Sequence, residues 1–268
     1  MSTNSEQMNR DKRLKLPLIF SRKNPEKPEK SHSSEFSESD SLSGKALFKC
    51  AKILFQGQHY ENALAAFNDL LREKPDPTIL FWRAETLCKL HRDEEALVDW
   101  EQLKLLKPRD VEIITQCGKT LNRLNRDEEA LREHAYAFKF RNDSPNIMAN
   151  IALTFYKLSD YKRALEFYKL SLKHAPENVD VLNNAGLTSH VLGLYKKAID
   201  YFNAALELSP DQADILGNRG MAYDALQDYE QALEDYNVSL ALVPDNTELA
   251  EKRRIVLRIL KARQKRKL

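Results

Sequence analysis

Apolar positions in this chain recur on two scales. On the short scale they follow helical spacing, as at Ala164, Leu165, Tyr168 and Leu172, one face of an amphipathic helix. On the long scale the same small residue returns. Ala63, Ala96, Ala130, Ala164, Ala198 and Ala232 follow one another at an almost constant step. Four positions after each comes a large ring: Phe67, Trp100, His134, Tyr168, Phe202, Tyr236. Twelve positions before each stands a second small residue: Ala51, Ala84, Gly118, Ala152, Gly186, Gly220. Proline follows in phase at Pro75, Pro108, Pro176, Pro210 and Pro244. A fixed period of about 34 residues means an array of stacked units rather than one central core.

Each recurring residue has a physical task. Two helices that cross closely need small side chains at the crossing, so the two small positions are expected to face each other. The ring, one turn further on, is expected to lie over the seam. Proline cannot continue the helical hydrogen-bond ladder and ends the second helix. Residues 44–246 therefore predict six helix pairs.

The unit resembles the tetratricopeptide repeat, which reads W-x2-L-G-x2-Y, then A-x3-F, then P. Asp214 to Pro244 fits best, with Gly220, Tyr223, Ala232, Tyr236 and Pro244 in phase. The resemblance implies an all-α fold, a right-handed superhelical solenoid of about six repeats. The third unit departs most, with His134 in the ring slot and Asn142 at the proline position. A looser crossing or a different exit angle is expected there. Residues 247–268 keep the apolar phase through Leu249, Ile255, Val256, Leu257, Ile259 and Leu260, but put Arg254 in the small-residue slot. They read as a capping helix with a basic tail. Residues 1–43 have no such pattern: Ser31–Ser43 is mostly serine, and Pro17, Pro25 and Pro28 interrupt the rest. A disordered Ser/Lys-rich arm is expected, in which Ser37 with Asp40 would suit an acid-directed kinase.

Charge adds one contrast. The net charge is only +2, but residues 251–268 hold nine Lys/Arg against Glu251, leaving an acidic body with a basic end. That end reads as a solvated terminus, an import signal or a polyanion contact. Nucleic acid is not an expected partner, because no recognition motif or interleaved aromatics accompany it. Cys50, Cys88 and Cys117 lack metal-ligand spacing and read as small packing residues in a reducing compartment. No apolar run approaches the roughly 18 residues of a membrane span. The expected location is cytoplasmic, or nuclear if the tail is read as an import signal.

Candidate chemistry points away from catalysis. The six histidines are scattered, and no phosphate loop or nucleophile motif is present, so neither an enzyme nor a cofactor is expected. In the family, the first helix of each pair lines the concave groove. One of its groove positions is held here by Asn150, Asn184 and Asn218, each one repeat after the last. Regular amides supply a donor and an acceptor at each step, which suits an extended peptide backbone. The resemblance thus implies a protein or peptide partner in the groove, with Lys119 beside the asparagines. The lysine clamp by which some relatives grip chaperone tails fails here, because Glu112, Asp180 and Asp214 occupy its lysine position. Phe48, Phe55, Phe81 and Trp82, with Lys52, occupy groove positions of the first two units. They read equally as packing against the arm or as a ligand pocket. The functional expectation is a non-enzymatic scaffold or adaptor. The alternatives are a basic-tailed adaptor acting in the nucleus or on nucleic acid, and a chaperone-associated cofactor. Partner, pathway and oligomeric state are not legible in the sequence.

Overall fold

A computed structural model describes residues 38–73 and 75–266. The chain divides into two units, Met1–Ser41 and Leu42–Leu268, and the second carries the features discussed below. The arm expected over 1–43 lies, through residue 37, outside the described residues, and so does Ser37. Among the described residues there are thirteen helices and no strand. They form six pairs: α1 (Glu38–Gln56) with α2 (Tyr60–Glu73), α3 (Pro77–Lys89) with α4 (Asp93–Leu106), and α5 (Val111–Arg123) with α6 (Asp127–Phe140). Then follow α7 (Pro145–Lys157) with α8 (Tyr161–His174), α9 (Val179–Val191) with α10 (Tyr195–Leu208), and α11 (Ala213–Ala225) with α12 (Tyr229–Leu242). A single helix, α13 (Thr247–Arg266), ends the stack. From α3 onward each helix packs on the one before it, as in a solenoid.

Both kinds of turn repeat. Within every pair the link holds one residue in the left-handed region: Gln58, His91, Asn125, Ser159, Gly193 or Gln227. The amide of the next residue returns to a carbonyl in the last turn of the first helix, as Arg92 N–H does to Leu87 O at 2.9 Å. The same bond recurs from Arg126 to Leu121 and from Asp160 to Phe155. This closure satisfies carbonyls that a helix end otherwise leaves unpaired. Between pairs, Asp76 Oδ1 accepts from the Thr78 amide at 2.7 Å, and Asp110, Asn178 and Asn246 cap their helices likewise. The link is fixed at both ends.

The crossing differs in detail from the sequence expectation. A Cβ on Gly118 would lie 2.5 Å from the His134 ring, one on Gly186 2.5 Å from Phe202, and one on Gly220 2.7 Å from Tyr236. The ring rests directly on the small residue of the first helix, rather than one turn away over a small-on-small contact. The third pair is no looser, since His134 approaches Gly118 as closely as Phe202 approaches Gly186. His134, Trp100, Phe67, Phe202 and Tyr236 are all fully buried.

Two pairs hold an internal ion bracket. Arg83 donates to both oxygens of Asp99, at 2.6 and 2.8 Å, and to Asn68 Oδ1. Arg219 repeats this with Asp235 at 2.6 and 2.9 Å and with Asn203. The aspartates are buried, so each guanidinium satisfies a carboxylate that would otherwise be costly inside.

On α13, Leu249 and Val256 bury against Tyr236 and Leu240. Ile255, expected in the same seam, is 46% exposed. Arg254 points outward and pairs with Glu251 at 2.7 Å. The basic tail is helical through Arg266, and the Arg263 guanidinium lies 4.3 Å above the Tyr229 ring. Among the described residues no helix is long and apolar enough to cross a membrane.

Candidate functional site

The first helices of successive pairs stand side by side, and two cavities open on the face they line. One, of about 400 Å3, lies between α5 and α7 and is lined by Lys119, Asn122, Arg123, Asn150, Leu153 and Lys157. The other, of about 360 Å3, lies among α9, α11 and α13, with Asn183, Leu187, Asn218, Met221 and Lys252 in its wall. Two of the expected residues, Lys119 and Asn150, thus share one cavity, and Asn218 edges the second. Asn184 is half-buried and lines neither cavity.

The asparagines are not equivalent rungs. Asn218 Nδ2 is already committed to Asn183 Oδ1 at 3.1 Å. Asn150 Nδ2 is buried without a hydrogen-bond partner. Its backbone carbonyl accepts from Thr154 Oγ1 at 2.8 Å.

Below the first cavity runs a buried polar network. Asn122 Nδ2 donates to Thr154 Oγ1 at 2.8 Å and lies 3.3 Å from His134 Nε2. That geometry fits a neutral imidazole accepting on Nε2. Burial, with Lys119 as the lesser cause, lowers the His134 pKa from 6.5 to about 4. Asn122 and Thr154 belong to different pairs, so the network ties pair three to pair four.

The cations of this cavity have different duties. Arg123 Nε donates to Asp93 at 2.7 Å, and Lys157 Nζ lies 3.1 Å from Asp127. Both bridges join a first helix to the start of the preceding pair's second helix. Lys157 Nζ also donates to the Asn122 carbonyl and to Asn125 Oδ1. Among the ion pairs of the described residues none uses Lys119. The neighbouring acids are Glu85 and Glu112. Burial first, then the charge of Glu112, raises the Glu85 pKa, and Lys119 partly offsets both.

The aromatic positions of the first two pairs pack on one another. Phe55 meets Trp82 edge-on at 5.4 Å, and Phe81 meets Trp100 at 5.2 Å. Lys52 Nζ sits 4.7 Å above Trp82. Phe55, Phe81 and Trp82 remain half-buried on the shared face.

Asn122, Arg123, Leu153 and Lys157 were not singled out by sequence reasoning. A signal existed for two of them: Arg123 and Lys157 stand one repeat apart, as do their partners Asp93 and Asp127.

Sequence models described as tetratricopeptide repeat match residues 49–104, 145–178 and 178–245. The chain belongs to the tetratricopeptide repeat family. These matches leave out 105–144, which includes the whole of pair three with its His134. No curated protein sequence matches the chain. Solved tetratricopeptide repeat structures share the fold. PilW, described as a widely conserved type IV pilus biogenesis factor, has a TM-score of 0.71 at 24% identity, over 78% of this chain and 97% of its own. A chain of the Cut9–Hcn1 hetero-tetramer of APC/C gives a TM-score of 0.70 at 15% identity, over 80% of this chain. This chain spans only 43% of that one. YrrB, described as a tetratricopeptide repeat protein with an unusual peptide-binding site, gives 0.56 at 19% identity, over 70% of this chain and 98% of its own.

Proposed function

We propose that this chain is a non-enzymatic adaptor that holds an extended segment of a partner protein along the face lined by its first helices. Tetratricopeptide repeat proteins bind protein partners, and that much follows from the family. The observation that carries the finer reading is the placement of the asparagines. Asn150 and Asn218, two repeats apart, each edge a cavity on the same face, and Asn184 stands between them in phase. An extended peptide presents a donor and an acceptor at every residue, and a row of amides answers both.

The test is affinity capture from cell extract, wild type against Asn150→Ala, Asn184→Ala, Asn218→Ala and the triple variant, with circular dichroism as the folding control. A neutral hydrogen bond contributes about 0.5–1.5 kcal/mol net, so single changes should weaken capture several-fold. The triple variant should lose about 2–4 kcal/mol and release the partner. Undiminished capture by a folded triple variant would place the partner on another surface.

A further inference from the structure

We propose that the outer face of α13 binds the phosphate backbone of a nucleic-acid duplex, without reading its sequence. This face is separate from the groove and gives the adaptor a second kind of partner.

Four cations make the face. Arg254, Arg258, Lys261 and Lys265 follow one another at helical steps of four, three and four residues. A helix turns about 100° and rises about 1.5 Å per residue, so they fall within an arc of about 60° along about 16 Å of axis. All four are exposed, and the helix that carries them runs unbroken to Arg266. The two acids of α13, Glu248 and Glu251, are paired within the helix, to Lys252 at 3.3 Å and to Arg254 at 2.7 Å. Among the described residues Arg258, Lys261 and Lys265 make no ion pair. Arg263 points the other way, over the Tyr229 ring, with the exposed acids Asp228 and Glu230 adjoining that tyrosine.

The place of the stripe in the repeat says what can cover it. Gly220 carries the ring of Tyr236 from the second helix of its pair, and Arg254 stands one repeat after Gly220. The stripe therefore lies where a second helix packs in the six pairs, and no described helix covers it on α13. A partner helix cannot pack closely there, because a close crossing needs a small residue and Arg254 fills the slot. A protein interface also has a core depleted of charge, which this face lacks. A bilayer needs a free apolar face to hold a helix, and on α13 Leu249 and Val256 are buried against pair six. Single strands bind by stacking on open aromatic rings, and the ring nearest the tail, Tyr229, lies under Arg263. A duplex needs none of these. It carries about one phosphate charge per 1.7 Å of axis, so a row of cations meets phosphates in almost any register. Such binding needs no recognition motif.

The experiment follows fluorescence anisotropy of a labelled DNA duplex of arbitrary sequence with the full chain, between about 50 and 200 mM salt. Each phosphate neutralised contributes about 0.9 to the slope of log K against log salt, so four contacts give about −3.6. That is roughly a hundredfold loss of affinity over this range. Lys261→Gln should make the slope shallower by about 0.9, and Arg258→Gln, Lys261→Gln and Lys265→Gln together should bring it to about −0.9. Arg263→Gln removes the same charge from the opposite face and should leave the slope unchanged. All these positions are exposed, and circular dichroism confirms that each variant is folded. The proposal is overturned if the duplex fails to bind at the lowest salt, if the triple variant keeps the full slope, or if Arg263→Gln and Lys261→Gln lower it equally. Tighter binding to the single strand, to polyglutamate or to phosphatidylserine vesicles than to the duplex also overturns it, and assigns the face to that partner instead. The triple asparagine variant should bind the duplex normally, so this proposal and the groove reading stand or fall separately.

Discussion

Pairs three and four can be set against pairs five and six, because the two halves build the same fold with different interiors. In pairs five and six the rings are Phe202 and Tyr236, and α13 closes the far side with Leu249 and Val256. In pairs three and four the slot after Ala130 holds His134, bonded to Asn122 and through it to Thr154. Two further bridges, Arg123 to Asp93 and Lys157 to Asp127, cross between neighbouring units there. The crossing distance is the same at Gly118 and Gly186, so the His134 ring, with Nε2 facing the Asn122 amide, fills its slot as closely as Phe202 fills its own. What changes is how the interior responds to pH and what the open face offers a ligand.

The largest expected effect tests the apolar half. Removing residues 247–268 strips Leu249 and Val256 from Tyr236 and Leu240. Full burial of each aliphatic side chain contributes about 1.5–3 kcal/mol, so the loss should reach about 3–6 kcal/mol or show as aggregation. Denaturant unfolding and light scattering measure it. Unchanged stability would show that α13 closes nothing.

Next comes the polar half. In the unfolded chain His134 takes up a proton near pH 6.5, whereas the folded chain resists until about pH 4. Its contribution to stability is therefore complete above pH 6.5 and is lost as pH falls toward 4. That loss is about 3 kcal/mol at most. His134→Phe, with the ring that Phe67 and Phe202 already use, should flatten this part of the stability–pH curve. Parallel curves for the two proteins would refute the buried neutral imidazole.

The smallest effect compares the crossings themselves. Gly118→Ala and Gly186→Ala each drive a methyl group into a fixed ring, costing about 1–3 kcal/mol, reduced by the better helix propensity of alanine. Nearly equal losses in melting temperature are expected. A much smaller loss at Gly118 would mean that the His134 slot gives way after all.

The repeat was legible because it is written in local residues. An alanine, a ring and a proline at fixed spacing name the pair, its crossing and its end. The exact seat of the ring was not, because spacing along one helix does not say which side chain of the other it meets. The lining of the cavity between α5 and α7 was half legible. Asn150 and Lys119 came from their place in the family's unit. Asn122, Arg123 and Lys157 act through partners nearly a full repeat away, Thr154, Asp93 and Asp127, and such pairings emerge only when neighbouring units stack. The start of α1 at Glu38 was hidden for the opposite reason, since serine-rich sequence carries little helical signal.

Contact confined to near neighbours also has a mechanical meaning. Among the described residues nothing from the first pairs reaches forward to brace the last, so a pull on the two ends is carried by the interfaces in series, like links of a chain. The link that yields first is the one with the weakest interface, and at the junction between pairs three and four the Asn122–Thr154 and Lys157–Asp127 ties add to the packing. The same locality keeps contact order low, which favours rapid folding and quick recovery once tension is released.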